Sequence, residues 1–191
     1  CDEYIHFNKK EKNKIIEFAE KIDVATMEFE KFDFDTLKII EKYKKVFPKP
    51  EINLLVSSRK KEKDFFKSLG LPTTNYIEIN SIEEIIKNDN LIPGLLKGDF
   101  GYDGLSTYEL NSLDDLKKYK IKFDNNFILE KKVDLKKEIS VIATRYLDGK
   151  INIFEPFENK HKAKILRETI VPADISQDVY EKAKDFTKKI L

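Results

Sequence analysis

Three of the six glycines, Gly98, Gly101 and Gly104, fall within seven residues directly after a hydrophobic run that ends in Lys97. Glycine-rich turns let backbone N–H groups approach phosphate oxygens closely, and a lysine at a strand end can neutralise them. The spacing suits a triphosphate. It is neither a P-loop, which needs Gly-Lys-Ser/Thr opening a helix, nor the GxGxxG dinucleotide turn, and a plain glycine hairpin between two strands has the same composition.

A second constellation is Glu130-Lys131-Lys132-Val133, followed by Glu138. A strand ending in an acid, then an exposed connection, can offer backbone hydrogen bonds to an adenine edge while the later carboxylate holds ribose hydroxyls. A solvated charge run has the same residues. The third is Glu158-Asn159-Lys160-His161, which the pattern predicts as a turn carrying one of only two histidines. Lysine is abundant, yet arginine occurs only at Arg59, Arg145 and Arg167. Its planar fork grips phosphates and carboxylates bidentately, which lysine cannot do.

These side chains need a scaffold, and the composition supplies one. With 191 residues, 40% hydrophobic and 12% aromatic, the chain has enough apolar material for one large or two small domains, which excludes global disorder. Lys and Arg total 36 against 35 Asp and Glu, so no global field draws the chain to nucleic acid or an anionic membrane. Any bound anion must be held locally. The single Cys1 excludes an internal disulfide framework and a cysteine-based zinc site, and points to a reducing cytoplasm. No apolar run approaches the roughly 20 residues that span a bilayer.

Periodicity predicts a strand over 2–7, a helix over 9–22, a buried strand over 23–29 and a helix from Phe34 to about Lys45, a rhythm that implies a parallel sheet covered by helices. Helix in two pieces follows from Glu51 to Leu69 and closes at Gly70. A second α/β unit then begins: a strand over 76–79, a helix capped by Ser81 and Glu84, strands over 91–97 and 105–110, and a capped helix over 112–119. Further strands are predicted at 127–130, 138–147, 150–157 and 164–171, with a hairpin at Asp148-Gly149. A last helix over 176–191 presents Val179, Ala183, Phe186 and Ile190 on an apolar face that should be exposed.

Five segments share the order and spacing of one family: MEFE (Met27 to Glu30), SSRKKEKDFFKSLGLPT (Ser57 to Thr73), LLKGDFGYDG (Leu95 to Gly104), FILEKKVDLKKEISVIATRYLDGK (Phe127 to Lys150) and FENKHKAKILRETIVPADI (Phe157 to Ile175). Over essentially its whole length the chain resembles the 5-(carboxyamino)imidazole ribonucleotide synthases, ATP-grasp ligases of purine biosynthesis. The resemblance implies an α/β architecture with a partial ATP-grasp fold: residues 1–80 as the end of a doubly wound N-terminal domain, 81–131 as the ATP-grasp lid subdomain, and 132–191 as the start of the C-terminal subdomain. The chain would then be an internal fragment or a truncated member.

By the same resemblance, Arg59 and Lys97 contact the nucleotide, the latter at its phosphates. Gly101, Tyr102, Asp103, Gly104, Leu105, Ser106 and Thr107 match the phosphate loop. Glu130, Lys131, Lys132 and Val133 match the hinge on adenine, Glu138 the ribose carboxylate, and His161 a further nucleotide residue. Tyr102, Asp103 and Glu28 match positions near the imidazole ribonucleotide. Implied partners are ATP, bicarbonate, aminoimidazole ribonucleotide and a second copy in a homodimer, with magnesium held by ligands beyond Leu191. Two departures stand out. Leu105, Ser106 and Thr107 replace the family's Lys-Gly-Gln, and Gly98-Asp99 replaces an arginine, where an acid repels phosphate. A catalytically impaired nucleotide-binding relative and a different ATP-grasp carboxylate–amine ligase therefore stand as alternatives.

Overall fold

The computed structural model describes residues 2–29, 31–99, 106–162 and 165–191. It divides into two compact units, Cys1–Lys63 and Asp64–Leu191.

In the first unit, α1 (Lys12–Lys21) places Ile15 and Ala19 one turn apart on a buried face. The strands β1 (Val24–Thr26) and β2 (Lys45–Phe47) pair in parallel, Ala25 opposite Val46, with α2 (Phe34–Glu41) as the crossover. Ile15, Ala19, Ala25, Leu37, Ile40 and Val46 form the core. Asp33 caps α2: its carboxylate accepts from the Thr36 N–H at 2.9 Å and from the Thr36 hydroxyl at 2.8 Å. Those two bonds hold its pKa below the usual carboxylate range. The helix α3 (Pro50–Val56) follows, and α4 (Arg59–Ser68) runs across the division between the units.

Two local expectations fail here. Residues 2–7 form no strand, because their alternation offers little to bury: Tyr4 is 79% exposed, and Phe7 instead packs beside Phe18. The predicted helix over 34–45 stops at Glu41, because Val46 is needed in the core as the centre of β2.

The second unit is built on antiparallel pairing. Four strands, β3 (Tyr76–Ile79), β4 (Gly94–Gly98), β5 (Thr107–Leu110) and β6 (Phe127–Lys131), form a sheet in the order β3-β6-β4-β5. Its two faces differ because side chains alternate along each strand. The pairs Leu96↔Leu129, Leu96↔Tyr108 and Ile79↔Phe127 put one set on the core face, with Leu110 and with Ile85 from α5 (Ile82–Lys87). The pairs Lys97↔Ile128, Lys97↔Thr107, Leu95↔Glu130 and Leu95↔Glu109 put a largely polar set on the other. Residues 76–79, assigned by the resemblance to the first domain, thus pair strand for strand with β6 and bury Ile79 in this second core. Tyr76 also ties the end of α4 to the sheet: its hydroxyl donates to Asp64, and the Lys67 ammonium lies 4.0 Å from its ring centroid. Burial, then that bond to Asp64, push the phenol up to about 12.

Beyond residue 131 come β7 (Glu138–Ser140), β8 (Ala143–Arg145), β9 (Ile151–Ile153), β10 (Phe157–Lys162), β11 (Ile165–Ile170) and α6 (Gln177–Ile190). The expected hairpin is present: Gly149 has φ +86, a left-handed conformation that glycine adopts without strain, and joins β8 to β9. The single strand expected over 138–147 is instead two strands in different sheets, since β7 pairs with β10 while β8 pairs with β9. Alternation records which side a residue faces, not which neighbour its backbone bonds. Residues 158–161, expected as a turn, lie within β10, whose place is set by β7 on one side and β11 on the other. No residue of α6 is fully buried; Val179 and Ile190 are exposed but Ala183 and Phe186 are half-buried, so the apolar face expected to be exposed is so only in part. No helix among the described residues is long and apolar enough to cross a membrane.

Candidate functional site

The polar face of the four-stranded sheet opens into a cavity of about 520 Å³ that extends to the connection after β6. Leu95, Lys97, Thr107, Glu109 and Glu130 line it from the strands, Lys132, Val133 and Leu135 from the connection. Lys97 Nζ forms an ion pair with Glu130, whose side chain is only 7% exposed against 25% for the lysine. The glutamate side chain is thus the more buried of the two. Lys132 Nζ lies 2.6 Å from Glu109 Oε1 across the same cavity. Leu95, Val133 and Leu135 add apolar wall, so a flat ring and an anion can both be accommodated.

The hinge residues divide their tasks. The N–H of Lys131 donates to Asn75 O and that of Lys132 to Pro93 O, both at 2.9 Å. The Lys131 ammonium donates to the carbonyls of Asn90 and Ile92, so it anchors the short turn at 89–91. Val133 is 49% exposed, and its N–H makes no backbone hydrogen bond among the described residues. An adenine edge at this hinge would therefore find its donor at Val133.

At the end of β4, Gly98 N–H donates to Ser106 O at 2.9 Å and the Ser106 hydroxyl returns a bond to Gly98 O at 3.3 Å. A Cβ on Gly98 would lie 2.9 Å from Asn125 Oδ1 and 3.0 Å from the Phe127 ring, so a larger residue there would make those side chains shift. Asp99 is buried and accepts from Asn126 Nδ2 at 3.2 Å. It is not among the residues that line the cavity. Gly101, Tyr102, Asp103, Gly104 and Leu105 lie outside the described residues; Ser106 and Thr107 lie within them.

Glu138 and His161 meet. The pairing of β7 with β10 sets Glu138 opposite Asn159, and His161 Nδ1 lies 3.6 Å from Glu138 Oε2. The preceding residue, Lys137, bonds Glu158 at 2.9 Å and Asp174 at 3.0 Å, contacts that raise its pKa and pin the start of β7. Arg59 heads α4, half-buried, and Glu28 is exposed after β1; both belong to the first unit. Sequence patterning missed Thr74, Leu95, Glu109 and Leu135 as lining residues. Leu95 was in principle visible, two residues before Lys97 on the same strand face, as was Glu109 two residues after Thr107. No comparable signal marks Thr74 or Leu135. Among the described residues no group of three His, Cys, Asp or Glu could hold a metal ion.

A family model described as the ATP-grasp domain matches residues 64–191, which include every residue lining this cavity. The chain belongs to the ATP-grasp family. A second model, the ribonucleotide synthetase preATP-grasp domain, matches residues 1–56. The chain is 33% identical over 181 residues to a bifunctional purine synthesis protein of Dictyostelium discoideum, covering 91% of this chain and 18% of that protein. It is 30% identical over 189 residues to the N5-carboxyaminoimidazole ribonucleotide synthase of Bacillus subtilis, covering 97% of this chain and 49% of the relative. Among solved structures, the N5-carboxyaminoimidazole synthetase of Staphylococcus aureus complexed with ADP aligns with TM-score 0.89 and 29% identity, over 100% of this chain and 52% of that one. The ATP-grasp fold here is thus partial, and the chain spans about half the length of such synthases.

Proposed function

We propose that this chain is part of an ATP-dependent carbon–nitrogen ligase that carboxylates 5-aminoimidazole ribonucleotide with bicarbonate, giving N5-carboxyaminoimidazole ribonucleotide, ADP and phosphate. The observation that carries the reading is the cavity of an ATP-grasp domain in which Lys97, over a buried carboxylate, lies beside the 130–133 hinge. The names of the similar synthases supply the substrate class. Residues 81–131 then serve as the small ATP-grasp subdomain and 132–191 as the start of the C-terminal one. The setting is the cytoplasm, where nucleotide precursors are made.

A bicarbonate oxygen attacks the γ-phosphorus, the bond to the β-phosphate oxygen breaks, and ADP leaves. The amine nitrogen of the substrate then bonds to the carboxyphosphate carbon, or to carbon dioxide released from it; phosphate departs and the nitrogen loses one proton. Phosphoryl transfer needs mainly positioning and charge neutralisation. Lys97 contributes charge at the phosphates, Val133 an N–H at the adenine edge, and Glu138 a carboxylate at the ribose, with His161 beside it. Arg59 and the 101–107 loop are assigned to the nucleotide, and Glu28, Tyr102 and Asp103 to the imidazole ribonucleotide, by resemblance. Magnesium, when bound, would neutralise phosphate oxygens; among the described residues no group of three His, Cys, Asp or Glu could hold it.

Phosphate release by the full-length protein tests the reading. It is expected to require ATP, bicarbonate and aminoimidazole ribonucleotide together. ATP binding without phosphate release would favour the impaired relative, for which the Leu105-Ser106-Thr107 departure speaks, and release with a different amine would favour another ligase.

A further inference from the structure

We propose that the Glu130 carboxylate is a positioning residue for the phosphate end of the nucleotide site, acting through Lys97. This rests on the nucleotide reading above and goes beyond it, because it gives the first hinge residue a side-chain task separate from the hinge backbone.

The sheet register dictates the arrangement. Leu95 pairs with Glu130 and Lys97 with Ile128, so Glu130 and Lys97 are diagonal neighbours on one face, close enough for their long side chains to meet. Both residues line the cavity, Glu130 as the more buried member of the pair. A lysine ammonium is a compact charge on a flexible four-carbon stem with three donors. Held from below by a fixed counter-ion, it keeps its place without a ligand, and the donors not directed at Glu130 remain for an incoming phosphate. Neighbouring cations are engaged elsewhere: the Lys131 ammonium bonds the carbonyls of Asn90 and Ile92, and Lys132 pairs with Glu109. Burial of either charge alone is costly, so removing one partner leaves the other uncompensated.

The test is calorimetric titration of ATP and of adenosine into the full-length protein and its variants. Glu130→Gln keeps the shape and removes the charge; it should weaken ATP about tenfold, the scale of losing one well-placed charge-assisted contact, and leave adenosine within about twofold. The double variant Lys97→Met with Glu130→Gln should bind ATP no more weakly than Lys97→Met alone, since Glu130 acts through the lysine. Should Glu130→Gln fail to fold, Glu130→Asp serves instead, with ATP affinity between that of the wild type and that of Lys97→Met and adenosine affinity unchanged. Equal losses for ATP and adenosine would overturn the inference, as would additive losses in the double variant. Tighter ATP binding in Glu130→Gln would also overturn it, showing the carboxylate to compete with phosphate. So would no change at all. If the wild-type protein binds no ATP, the nucleotide reading itself falls, and this inference with it.

Discussion

Lys97→Ala is expected to weaken ATP binding by about 1.5–3 kcal/mol, the typical worth of a charge-assisted hydrogen bond, while adenosine binds almost as before. Glu138→Ala is expected to weaken both ligands, because the ribose is common to them. The contrast follows from where each residue stands: Lys97 on the sheet face with its buried counter-ion, Glu138 on β7 beside His161. Titration calorimetry reads both losses directly. Lys97→Ala also leaves the Glu130 carboxylate buried without its ammonium, which lowers folding stability. ATP and adenosine must therefore be compared within one variant, below its melting transition. Equal loss of adenosine affinity in the two variants would remove Lys97 from the phosphate end.

A second large effect belongs to the opposite face of the same sheet. Leu129 has no exposed surface and packs in the cluster of Ile79, Leu96, Leu110 and Phe127. Leu129→Ala should cost about 2–5 kcal/mol of unfolding free energy, combining lost burial with the cavity left behind. The urea midpoint of unfolding should fall accordingly. A loss below about 1 kcal/mol would mean that this core is not closed around β6 in solution.

The fold and the site were legible in the sequence only in part. Long or strongly patterned elements were readable: the helix capped by Ser81, the hairpin at Asp148-Gly149, and the strands that carry Lys97 and Glu130. Short or polar elements were not. With three residues and one buried side chain, β2 gives no periodic signal, and β10 is a strand of charged residues that owes its place to neighbours on both sides. Glu130 and Lys97 were each recognisable as site residues by resemblance, yet their ion pair required the antiparallel register of β4 and β6, which no pattern along one strand encodes. The same holds for Glu138 and His161, brought together by the pairing of β7 with β10. Asp99, read in the sequence only as a charge, is buried and bonded to Asn126, a setting that no pattern along one strand encodes.

Amide hydrogen exchange of the full-length protein, with and without saturating ATP, tests most directly whether this sheet face and hinge hold the nucleotide. The decisive amides are those at 133 and 135, because the N–H groups of Lys131 and Lys132 are already bonded to Asn75 and Pro93 and exchange slowly without ligand. Slowed exchange at Val133 and Leu135, with no change along the exposed helix Gln177–Ile190, is the expected result. Unaltered exchange at 133 and 135, while calorimetry shows ATP bound, would place the nucleotide elsewhere and contradict the site.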